Sequence, residues 1–89
     1  MPTISMFYGI IIAIYYEANT QHNKPHIHAR YQGSKASIAI DDGLLLAGDL
    51  PPKQLKMVQV WVDLHKDELM ANWELTTAGE EPFRIAPLQ

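Results

Sequence analysis

The chain has no cysteine. Thiolate nucleophiles, disulfides and thiolate-held metal or iron–sulfur sites are therefore excluded. Charge is also sparse: charged residues make up 19% of the 89, with seven Lys and Arg against ten Asp and Glu, a net charge of -3. A general electrostatic grip on nucleic acid needs many Lys and Arg to neutralise phosphates, so only a local patch is left to provide one. Long apolar runs are missing too. The Ile4 to Tyr16 segment is rich in isoleucine but too short to span a bilayer, and no basic stretch precedes it. We expect a cytoplasmic protein with no membrane segment. Length and an apolar fraction of 47% suit a single domain, residues 1–89, with one modest core.

What is concentrated is histidine. Three of the four lie in the stretch His22-Asn23-Lys24-Pro25-His26-Ile27-His28-Ala29-Arg30. In an extended strand entered after Pro25, side chains alternate. His26, His28 and Arg30 then point to one face, outward, and Ile27, Ala29 and Tyr31 to the apolar one. Upstream, Met1 to Ser5 reads as an extended lead-in, Gly9 as a bend, and Ile10 to Tyr16 as a central strand apolar on both faces. Glu17 to Lys24 forms the loop into the histidine segment.

Downstream, His26 to Gln32 and Lys35 to Ile40 read as strands joined at Gly33-Ser34. If Ala36, Ile38 and Ile40 share the buried side with Ile27 and Ala29, then Lys35 and Ser37 lie beside His26, His28 and Arg30. Asp41-Asp42-Gly43 signals a further turn into Leu44 to Ala47, closed by Gly48. The expected architecture is α+β: an antiparallel meander of about four strands covered by one or two C-terminal helices.

Pro52 is the expected first helical residue, with Pro51 outside. At one hundred degrees per residue, Leu55, Val58, Trp61, Val62, His65, Leu69 and Trp73 share the sheet-facing side. Met57, Val60, Leu64 and Leu75 form a second apolar stripe, which implies a protein partner or a homodimer. One helix from 52 to 78 would be about 40 Å long, roughly twice the strands beneath it. A break near His65 to Asp67, with Asp67 capping a second helix, fits better. Gly79 suits the C-terminal cap, and Phe83 to Ile85 reads as a short edge strand before Pro87.

The histidine segment admits three readings. His22, His26 and His28 have the donor type and number of a three-imidazole metal site, zinc among the candidate ions, with Glu17, Asp41 or Asp42 as further ligands. Arg30 on the same face opposes a dication. Alternatively His26 and His28 act as general base and acid, with Arg30, Lys35 or Lys24 stabilising phosphate, the inventory of a metal-free ribonuclease. Tyr15 or Tyr31 would then stack on RNA. The plain alternative is that the histidines only hydrogen-bond across the sheet.

With these residues in hand, the chain resembles the domain of unknown function 4160 family of small bacterial proteins. The resemblance runs through Met-Pro-Thr-Ile-Ser-Met-Phe-Tyr-Gly-Ile at the start, the His22 to His28 cluster, and Asp42-Gly43-Leu44-Leu45-Leu46-Ala47-Gly48 before Leu50-Pro51. It continues in Trp61 to His65 and in Asn72-Trp73-Glu74-Leu75 with Ala78-Gly79. Ala13 stands where members often carry a basic residue, and Lys24 where many have a second proline. The resemblance implies no established activity. It implies a gene neighbour of another short family, hence a toxin–antitoxin-like pair and a protein partner.

Overall fold

The computed structural model describes residues 2–16 and 24–89. Among these residues five strands precede two helices: β1 (Thr3–Phe7), β2 (Ile10–Ala13), β3 (His26–Tyr31), β4 (Ser34–Ala39), β5 (Leu45–Gly48), α1 (Pro52–Leu64) and α2 (Lys66–Thr77). Neighbours in sequence are neighbours in the sheet, and every pairing is antiparallel. The expected α+β meander is present, with one strand more than four.

The additional strand is β1, read from sequence as a lead-in. Its pairing with β2 shifts register between Thr3 and Ser5, and Ile4 and Ser5 are both buried. A bulge breaks the period-two signature by which a strand is recognised. Two hairpins turn on residue pairs with positive φ, Tyr8 (50°) with Gly9 (77°) and Gln32 (43°) with Gly33 (86°), the conformation that suits the strands' right-handed twist. The second turn therefore falls on Gln32-Gly33, and Ser34 opens β4.

One sheet face is closed by the helices. Ile4, Ile10, Ile12, Ile14, Ile27, Ala29, Ala36, Ile38 and Ile40 form a single core with Val58, Trp61, Val62, Leu69 and Trp73. Pro52 begins α1, with Pro51 outside, as expected. The helical run breaks at His65, between Leu64 and Lys66, so two short helices cover short strands. Asp67 does not cap α2. His65 occupies that position without a side-chain cap bond, while Asp67 and Glu68 fall in the first turn, where negative charge favours the N-terminal N–H groups. At the far end, Glu80 N–H donates to Leu75 O at 2.9 Å and Gly79 N–H to Thr76 O at 3.1 Å. With Gly79 at φ +81°, this is a Schellman termination.

Phe83 to Ile85 is not a strand. The segment is strapped down instead: the buried Asn72 amide donates to Phe83 O at 2.8 Å and accepts from Phe83 N–H at 2.9 Å. Trp61 Nε1–H donates to Ala86 O at 2.8 Å. Ile85 N–H donates to Ile4 O at 2.9 Å, covering part of the β1 edge. The opposite edge strand, β5, pairs through a register shift between Ser37 and Ile38 of β4, and such bulges blunt an edge against adventitious pairing.

Candidate functional site

The hairpin β3–β4 carries the site because of where its charge lies. Residues 24–40 contain Lys24, Arg30 and Lys35 and no acid, whereas the rest of the chain carries four basic and ten acidic residues. Register sets Arg30 opposite Lys35 and His28 opposite Ser37, all four on the one face that the alternation predicts. Arg30 and Lys35 are exposed, and among the described residues neither makes an ion pair. Asp49, whose N–H donates to Lys35 O at 2.9 Å, turns its Oδ1 to accept from Leu50 N–H at 2.9 Å.

Beside this pair lies a groove of about 290 Å³ lined by Ala13, Tyr15, His28, Ser37, Ala47 and Gly48, with Arg30 and Lys35 at its border. Its floor is low because the residues that β2 and β5 contribute, Ala13, Ala47 and Gly48, are small. Tyr15 stacks on His28, with centroids 3.9 Å apart and planes 8° from parallel, and Ser37 Oγ lies 3.4 Å from His28 Nδ1. On the other side of the pair, a second groove of about 290 Å³ is lined by Gly9, Ile11, Gln32, Gly33 and Ser34, again with Arg30 and Lys35.

His26 departs from the expected outward trio. It is 2% exposed, its ring 5.1 Å from that of Trp73 and 4.9 Å from that of His28. Its Nδ1 donates to the Lys24 carbonyl at 2.8 Å. The reason is tertiary: His26 starts its strand at the end of the sheet where α2 brings Trp73 against it. His28 and Arg30 are thus the candidate site residues that line the groove.

His22 and Glu17, named for the metal reading, lie outside the described residues. Among the described residues no three His, Asp or Glu side chains form a ligand group. Lys24 is engaged elsewhere, 3.0 Å from Asp42 Oδ2 and 3.4 Å from Asp41 Oδ1, which occupies all three candidates from the two turns. Tyr31 packs against the core and lines the second groove, whereas Tyr15 serves the first. The Tyr15–His28 stack was not read from sequence; the outward alternation of Ile11, Ala13 and Tyr15 was the available signal.

The Lys24–Asp42 contact sets an acid limit on this end of the sheet. Asp42 is held below its ordinary value of 3.8, first by accepting from Leu44 N–H and then by Lys24. Lys24 is held above 10.5, chiefly by its hydrogen bond to Asp42. A depressed carboxylate contributes stability above its unfolded value and loses it as pH falls through the folded one. Asp42→Asn is therefore expected to lose less stability than the wild type on acidification below 3.8, as read from urea midpoints between pH about 5 and 2. Parallel acid limbs would show that Asp42 takes no part.

On the helices, Leu64 is 66% and Val60 45% exposed, while Met57 and Leu75 are half-buried. Leu88 of the C-terminal segment joins Met57 and Val60 in lining a shallow depression. The second stripe is therefore partly covered by the chain itself. Among the described residues, no helix is long and apolar enough to cross a membrane.

No curated protein and no solved structure matches the chain. A family model does, over residues 9–74. That span runs from the turn before β2 through Glu74 of α2 and takes in both grooves' cation pair, the Tyr15–His28 stack and the buried His26. On this match the chain belongs to the family described as domain of unknown function (DUF4160).

Proposed function

We propose that this chain is a small cytoplasmic binding protein, one member of a paired, toxin–antitoxin-like module, whose working surface is the sheet face carrying His28, Arg30 and Lys35. The observation that supports it is the Arg30–Lys35 pair, side by side in register without a carboxylate partner among the described residues. Two like charges held opposite one another across strands destabilise the sheet. Such an arrangement is costly on its own and is relieved by an anion bound between them.

The test uses medium-chain polyphosphate as a generic anion, followed through the backbone amide shifts of Arg30, Lys35 and Ser37. Saturable shifts confined to β3 and β4, lost in Arg30→Ala/Lys35→Ala, are expected. Absence of saturable shifts at low salt overturns the reading.

A partner protein on the helices is the second reading, favoured by the exposure of Leu64 and Val60. Leu64→Asp is expected to leave the fold intact and to abolish co-elution with the neighbouring gene product; unchanged co-elution removes this surface from consideration. Catalysis would have His28 as its one described groove histidine, with Arg30 and Lys35 beside it, because His26 is enclosed. RNA cleavage in the presence of chelator, lost in His28→Ala, is what that alternative requires.

A further inference from the structure

The cation pair does not sit at the end of one groove. It divides two grooves of equal size, each about 290 Å³. One is walled by the Tyr15–His28 stack over an alanine and glycine floor, and the other offers Ile11 and the Gln32-Gly33 turn. Among the described residues no acid lines either groove. Each volume lies at or just below the small end of ligand pockets, about 300–1,000 Å³, which suits a flat ring and not a folded macromolecular feature. Along β3, the His28 row and the Gln32 turn each lie two residues from Arg30, or about 6.5 Å of strand.

We infer that the two grooves and the cations between them form a site for one dinucleotide step of a single-stranded nucleic acid. The bridging phosphodiester lies on Arg30 and Lys35, with one base in each groove. This rests on the anion-binding reading above and names its ligand. An open antiparallel sheet with an aromatic wall and flanking cations is a sequence-tolerant platform for unpaired bases. A duplex presents the phosphates but keeps its bases paired, so it can satisfy Arg30 and Lys35 and nothing else. An acidic peptide likewise answers the cations and leaves both grooves unmatched.

The test is fluorescence anisotropy with a labelled eight-nucleotide single strand of mixed sequence, as RNA and as DNA. The same RNA annealed to its complement and a length-matched polyphosphate serve as competitors. The single strand is expected to bind at least about tenfold more tightly than the duplex. Arg30→Ala and Lys35→Ala should each lower the slope of log affinity against log salt by about 0.7. Tyr15→Leu should weaken the single strand at least about fivefold without altering polyphosphate binding. Ala47→Glu, at an exposed edge position where folding is not at stake, should weaken both.

Equal binding of duplex and single strand overturns the dinucleotide site. So does polyphosphate competing as well as the strand with no effect of Tyr15→Leu. Either result leaves the anion reading standing. If no polyanion binds at low salt, both fall.

Discussion

Trp61→Ala is expected to destabilise the fold by about 3–5 kcal/mol, the usual cost of removing a buried tryptophan. Against a domain total of about 5–15 kcal/mol, that is a large share. At about 4–8 °C per kcal/mol for a domain of this size, the melting temperature should fall by roughly 12–40 °C. Trp61 is fully buried and packs on Phe7, with ring centroids 5.3 Å apart, and on His65 at the same distance. Its indole N–H also holds Ala86, and through that segment the Ile85 bond to Ile4.

One side chain therefore joins α1, β1, the helix junction and the C-terminal strap. Trp61→Phe keeps most of the packing and removes the donor, so a smaller loss of about 1–3 kcal/mol is expected, set by the Ala86 carbonyl left without its partner. Denaturant titration of the three proteins decides the matter. A loss below about 1 kcal/mol for the alanine variant would show that the core does not depend on this residue.

Gly48→Ala should be the second severe change, for a different reason. Gly48 has φ +73°, and a Cβ there would lie 2.1 Å from the Lys35 carbonyl oxygen and 3.1 Å from Ala36 Cα. The same carbonyl accepts from Asp49 N–H at 2.9 Å. Relief requires backbone movement, which peels β5 from β4.

Gly33→Ala separates the two contributions. Gly33 is also left-handed, at φ +86°, but nothing lies within 4 Å of its added Cβ. That variant should bear only the conformational cost, about 1–2 kcal/mol, and Gly48→Ala should exceed it by at least about 1 kcal/mol. Equal losses would mean that β5 yields without penalty. Because Ala47 and Gly48 floor the groove beside Lys35, Gly48→Ala should weaken anion binding as well.

The meander was legible because β3 and β4 alternate cleanly and the turn residues announce themselves. The helix break was legible from length alone: a single helix would have overrun the strands. β1 was not, since its bulge buries adjacent residues Ile4 and Ser5 and erases the alternation. Phe83 to Ile85 looked strand-like, but Pro82 and Pro87 around it lack N–H groups to donate, and one bond to Ile4 does not make a ladder.

Local patterning by itself determined the order of elements from β2 to α2, the placement of Pro52, and the sharing of one sheet face by His28, Arg30, Lys35 and Ser37. These follow from the period of an extended chain and the chemistry of its turns. Only tertiary structure decided that His26 lies under Trp73, 47 residues away in the chain, that Lys24 is consumed by Asp41 and Asp42, and that small side chains of β2 and β5 leave an open groove on one side of the cation pair. Periodicity assigns a residue to a face. Whether that face is covered depends on side chains arriving from distant elements, which no local pattern encodes.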